Sequence, residues 1–313
     1  MKPRYLILLI GMNVLWAASY PIFKYLKMEP GALTTLRFGI AAALLLAGWR
    51  WFRGGSPTLG DMPRIACMGI LVFCMAPRLQ IDGVNRGQAG DTSLLMALDP
   101  LITALAAAVF LREQVPARRW WGCLLGMLGV ILLSRVWTGE AAPMRGLVAN
   151  VVFIASFFCE AAYSVLGKPL LHRCSPLKLL ACGATAGTVA NLFLDLTIDH
   201  RATLAAVKTM TATSWLLVLY LAIICSIVGY TLWFVVIRET EVNIAGLTVL
   251  VQPLAGLFLS VVWIGERVHW GQLWGSAAIL VGLAIGLPNG RGPAVVHFPT
   301  ENHPESRARQ AVR

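Results

Sequence analysis

Ten apolar stretches divide this chain, near residues 5–24, 32–50, 64–84, 91–111, 118–136, 146–167, 177–197, 214–236, 243–264 and 270–288. Each approaches the roughly 20 residues that a helix needs to cross a bilayer. Inside hydrocarbon no water is available to satisfy backbone N–H and C=O groups, so only helices and closed barrels can span it. The stretches are continuous rather than alternating, and they predict an all-α integral membrane fold of ten transmembrane helices. Charged residues make up 13% of the chain and hydrophobic ones 58%. A soluble domain carries roughly 25% charged residues.

The net charge of +11 does not point to nucleic acid, because the basic residues lie between apolar stretches and form no dense patch. Topogenic loop charge is the simpler reading. Lysine and arginine number 16 on the side of the N-terminus and 9 on the other, Arg37 being counted among the 9. That bias places both termini in the cytoplasm of a cell inner (plasma) membrane. The opening Met1, Lys2, Pro3, Arg4 and apolar run is read as an uncleaved first span. The polar segment 289–313 is expected to be a disordered cytoplasmic tail. Seven cysteines and five scattered histidines show no metal-ligand spacing, so neither metal nor cofactor is expected.

A long-range echo organises the spans. Leu98, Asp99, Pro100, Leu101 return as Val251, Gln252, Pro253, Leu254. Pro100, Glu113, Gly122 and Gly129 match Pro253, Glu266, Gly275 and Gly282 at one constant offset of 153 residues. Five spans per unit is an odd number, so the second unit enters the membrane from the opposite side. The expected domains are therefore two inverted five-helix repeats, 1–137 and 146–288, related by a pseudo-twofold axis in the membrane plane.

These residues resemble the drug/metabolite transporter superfamily, of the ten-span kind with two EamA-like domains. The motifs are the Pro100, Glu113, Gly122, Gly129 run and its twin, with Gly229, Tyr230, Trp233, Ile237 and Arg238, and with Tyr163 to Lys168 at the start of the second repeat. The resemblance covers about residues 5–288. It implies a permease for small metabolites with a central cavity lined by spans 1, 3, 4, 6, 8 and 9. The third span departs from the pattern in reading Pro77, Arg78, Leu79, Gln80, Ile81, Asp82.

Ionisable groups within spans are costly and mark functional positions. Asp99 and its twin Gln252 each precede a proline. Pro100 and Pro253, like Pro77, are expected to bend their helices and expose a carbonyl. Helix-kink satisfaction is the plainer alternative for both polar residues. Arg78 and Asp82 share a helix face at i, i+4 and are expected to pair, as a structural ion pair or as a substrate clamp. Glu160 lies well inside span 6 without a local partner; it suits proton coupling, or a neutral hydrogen bond to another helix. Asn13, Trp16, Tyr20 and Lys24 form one stripe on span 1, and an offset of 144 maps the last three onto Glu160, Ser164 and Lys168. Both lysines are expected to snorkel. Ser226, Tyr230 and Trp233 share a face of span 8, for substrate or for packing. Glu113 and Glu266 are read as structural caps pairing with Arg112, Arg118 or Arg267, and Asn191 and Asp195 as solvated. The small-residue motifs at Gly122/Gly126, Gly183/Gly187 and Gly282/Gly286 allow close helix packing, within the chain or in a homodimer.

The expected function is secondary transport of an amino acid, amine or similar cationic or zwitterionic solute, by alternating access, with export as the default and proton coupling left open. The expected partners are that small molecule and the lipid bilayer. A flippase for a lipid-linked intermediate is the alternative on the same fold. An enzyme is not expected, because no nucleophile with its base, metal cluster or phosphate loop is present.

Overall fold

A computed structural model describes residues 3–86, 96–134, 147–198, 202–259 and 270–287. Glu266, Arg267 and the 289–313 tail lie outside the described residues. Every regular element among the described residues is helical. Six helices are long and apolar enough to cross a membrane: Pro3–Leu26, Pro30–Ala47, Leu59–Asn85, Val151–His172, Pro176–Thr197 and Ala212–Ile237. Shorter apolar helices occupy Asp99–Phe110, Val242–Gly256 and Leu273–Gly286. The chain is an all-α, multi-pass membrane protein.

Prolines decide where the passages deviate. Pro3–Ala17 (α1) and Ser19–Leu26 (α2) are separated at Ala18, because Pro21 has no N–H to offer the carbonyl of Ala17. Pro30 opens Pro30–Ala47 (α3) in its first turn, where a missing donor costs nothing. Met62–Ile70 (α4) widens into a π-helical stretch, Leu71–Met75, before Ala76–Arg86 (α5), and Pro77 stands just after the widening. Asp99–Phe110 (α6) is preceded by a 3₁₀ turn at Met96–Leu98. Pro100 therefore lies in the first turn of its α-helix rather than bending it from within. Its twin behaves alike: Val242–Leu247 (α7) passes through a 3₁₀ turn, Thr248–Leu250, into Val251–Leu259 (α8), which contains Pro253.

The remaining helices are Ala117–Ser134 (α9), Leu147–Gly167 (α10), Pro176–Ile198 (α11), Ala212–Leu219 with the π-helical Tyr220–Gly229 and Tyr230–Ile237 (α12), and Trp270–Gly286 (α13). Where lipid surrounds every helix, association rests on close packing, and glycine permits it. A Cβ at Gly122 would stand 2.7 Å from the Gly282 carbonyl oxygen, and one at Gly129 would stand 2.6 Å from that of Gly275. Helices α9 and α13 thus meet backbone to backbone, and the 153-residue offset exchanges one contact for the other. Gly183 and Gly187 likewise pack on Met68, Phe73 and Gly69. The glycine motifs are used inside the chain.

Two apolar clusters flank the interior. One joins Phe38, Phe73, Tyr163, Tyr230 and Phe234; the other joins Phe23, Leu33, Ile81, Phe157 and Leu221. Large apolar side chains such as Ile7, Phe110, Trp121, Phe193 and Trp274 are exposed on the outside, as a lipid-facing surface requires.

Candidate functional site

A cavity lies between the clusters and draws its walls from both. Its walls bring together Trp16, Tyr20, Asp99, Glu160, Ser164, Tyr230, Trp233 and Gln252, all of which the sequence had singled out. Trp16 stands 11 residues along the first passage from Tyr5, so it is about 16 Å into the bundle.

The polar groups are held by specific bonds. Glu160 Oε2 accepts from Gln80 Nε2 at 2.6 Å, and Oε1 from the Tyr230 hydroxyl at 3.3 Å. Asp99 Oδ1 accepts from Thr103 Oγ1 at 3.3 Å. The Trp233 indole donates to Ser164 Oγ at 2.8 Å, and the Tyr163 hydroxyl to the carbonyl of Tyr230 at 2.9 Å. Asn13 stands behind the wall: it accepts from Gln252 Nε2 at 2.9 Å and donates to Thr248 Oγ1 at 3.1 Å. Gln252 thus ties the first passage to the 3₁₀ break before Pro253.

The π-helical segment at 220–229 shapes one side. Widening a helix frees carbonyls from its own ladder, and the Trp16 indole donates to one of them, Cys225 O, at 2.7 Å. Gly229 makes this possible, since a Cβ there would lie 2.9 Å from Trp16 Cε2. Trp16 then packs 5.4 Å from Tyr230 and 6.1 Å from Trp233 between ring centroids. Such spacings suit tilted and edge-on aromatic pairs.

Sequence reasoning missed Arg37, Gln80, Thr103, Phe157 and Tyr163, which also line the cavity. Arg37 is the main correction. Counted with the loop charges, it is in fact 5% exposed and adds α3 to the lining spans. Its place eight residues into an apolar helix was the available signal. Gln80 lay beside Arg78 and was eclipsed by it.

Arg78 and Asp82 stand apart from the cavity. Arg78 reaches across to α11, where its guanidinium binds the Asn191 side chain and Asp195. Asp195 also accepts from Thr35 Oγ1 at 2.6 Å, and Asn191 is fully buried. Neither residue is solvated as the sequence suggested.

Glu113 and Lys168 also depart from expectation. At the end of the bundle holding Tyr5, Lys168 Nζ donates to Glu113 Oε1 at 2.7 Å and to the Thr240 carbonyl at 2.9 Å. Glu113 further accepts from the backbone N–H groups of Val242 and Asn243, at 2.9 and 3.1 Å, and from Asn243 Nδ2 at 2.6 Å. It caps α7, a helix 130 residues away in sequence, and not the helix that follows it. Lys168 is buried rather than snorkelling. Arg119 extends the cluster to Glu241 and Asn243, and Tyr5 donates to Glu239 at 2.6 Å.

An apolar helical bundle around a buried polar, aromatic-walled chamber is an arrangement that carrying a solute across a membrane requires. The profile of the EamA-like transporter family matches residues 3–135 and again 147–287. The chain belongs to this family, and it is a membrane transporter. Among curated proteins it is 26% identical to "Probable amino-acid metabolite efflux pump" of Escherichia coli (strain K12), over 89% of this chain and 93% of that one. It is 27% identical to "Probable terminal-alkyne amino-acid exporter" of Streptantibioticus cattleyicolor, over 87% and 89%. A solved crystal structure superposes with a TM-score of 0.68 at 18% identity, over 90% of this chain and 94% of that one; this likeness speaks to the fold alone.

Proposed function

We propose that the protein exports a small organic metabolite, an amino acid, amine or similar cationic or zwitterionic solute, across the plasma membrane by alternating access. The observation that carries this reading is the convergence of Asp99 and Glu160 on one aromatic-walled cavity deep inside an apolar bundle. Buried carboxyl groups are costly in a membrane, and these two are held by neutral donors, which leaves them available to a substrate ammonium group or to a coupled proton. The names of the two relatives support export and amino-acid chemistry.

In this reading ten passages form two inverted five-helix repeats, 1–137 and 146–288, with both termini cytoplasmic. The exchange of the Gly122–Gly282 and Gly129–Gly275 contacts under the 153-residue offset supports the pseudo-twofold relation. The Glu113–Lys168–Asn243 and Arg119–Glu241 contacts join the two repeats at the terminus end. They close that side, and they must part for the cavity to open there.

Reconstituted vesicles test the reading. Counterflow of labelled amino acids and amines is expected for the wild type and is expected to fall to background in Asp99→Asn and Glu160→Gln while both variants remain folded. Full transport by both variants would overturn it.

A further inference from the structure

Arg37 presents an unfinished set of hydrogen bonds. Its Nε donates to Ser226 Oγ at 2.8 Å, and Ser226 in turn donates to the Leu221 carbonyl at 2.9 Å within the π-helical segment. Its Cζ lies 4.7 Å from the ring of Phe38 and 5.9 Å from that of Phe23. The aromatic faces offset part of the cost of an interior cation, but they accept no N–H bond in the plane of the guanidinium. Arginine carries five N–H donors in a fixed fork. Among the described residues Nε alone has a protein acceptor, and neither Nη group has one. No carboxylate among them forms an ion pair with Arg37. The two acidic groups of the cavity bond to neutral donors and not to Arg37, Glu160 to Gln80 and Tyr230, Asp99 to Thr103.

A buried cation without a counter-ion is unfavourable, and native structures pair such groups. Here Nε is braced and the free edge of the fork belongs to a side chain lining the cavity. A planar, bidentate partner such as a carboxylate fits that edge. The cavity therefore has a cationic and an acidic pole that feel each other's charge but share no ion pair among the described residues.

We propose that Arg37 is a specificity-determining residue that receives the substrate's carboxylate, while the Asp99 and Glu160 pole receives its ammonium group. The cavity then selects zwitterions over the corresponding amines. This rests on the transport reading above and narrows it, since Asp99 and Glu160 by themselves would accept a simple amine equally well. A site built to bond a polar group rejects analogues lacking that group, because its own donors are left unpaired.

The test uses the purified full-length chain in lipid nanodiscs. Binding is measured calorimetrically for the common amino acids, for their amides, and for the matching decarboxylated amines, with sugars and nucleobases as further probes. The wild type is expected to bind at least one amino acid roughly 10- to 100-fold more tightly than its amide or amine. Arg37→Gln is expected to lower that affinity at least about tenfold and to bring the acid-to-amide ratio near one. Should Arg37→Gln fail to reach the membrane, Arg37→Lys carries the test: loss of the fork lowers the ratio several-fold, and an unchanged ratio overturns the proposal. Equal binding of acids and amines by the wild type, or a preference that survives Arg37→Gln, overturns it and leaves the transport reading standing. Binding of no probe of any class overturns both.

Discussion

Two of the groups of buried charge in this bundle, one at the terminus end and one in the cavity, are satisfied to different degrees. At the terminus end the Glu113 carboxylate accepts from Lys168, from two backbone N–H groups and from the Asn243 amide. In the cavity Asp99 accepts from one hydroxyl, and Arg37 donates through one of its three nitrogens to the protein. Both regions pay for bringing charge out of water, but only the first recovers most of that cost from the protein itself. A nearly complete network, in which Arg119 Nε lacks a partner among the described residues, stabilises one arrangement of the chain. An incomplete one facing a cavity is stable only if something else completes it, and in a transporter that something is the solute.

This contrast predicts opposite responses to mutation. The largest loss of stability is expected for Glu113→Ala, which strands Lys168 and uncaps α7. Breaking a buried pair from one side costs about 3–5 kcal/mol, read as a lower midpoint of reversible unfolding in detergent. A loss near zero would erase the contrast. Arg78→Met is expected to cost less, about 1–3 kcal/mol, because Asp195 keeps Thr35 and Thr203 as donors; the same unfolding measurement checks it. Trp16→Phe removes the bond to Cys225 O and is expected to cost about 1 kcal/mol, with a fall in substrate affinity measured by calorimetry.

The smallest effect on stability is expected where the effect on function is greatest. Asp99→Asn and Glu160→Gln should shift unfolding by less than about 1 kcal/mol, in either direction, since neutralising an under-satisfied buried acid removes a desolvation cost. Transport is expected to be lost in both. A destabilisation as large as that of Glu113→Ala would place these carboxylates with the structural charges.

Much of the fold was legible because the bilayer leaves few choices. Long apolar runs gave the places of the helices, and Pro100 and Pro253 marked where α-helix gives way to a 3₁₀ turn, although the form of the break, a helix start rather than a kink, depends on the turns before each proline. The candidate cavity was partly legible for the same reason. Asp99, Glu160, Trp16 and Tyr230 are polar or aromatic residues within apolar spans, and a span has no cheap place to put them except its interior.

Partnership was not legible. Arg78 was paired with Asp82 because helical spacing sees only neighbours in sequence, whereas its observed carboxylate partner is 117 residues away. Glu113 was assigned to adjacent arginines, while its lysine lies 55 residues on. Arg37 was misplaced because counting charges by loop assumes that a basic residue near a span end faces water. Periodicity and hydropathy are local, and by themselves they determined that this chain is a membrane-embedded helical bundle with glycine seams and interior polar positions. Which charges meet, and which are left for a ligand, depends on how far each helix is rotated and how closely its glycines let it approach. The tertiary structure alone decided that, because packing acts between segments that the sequence keeps far apart.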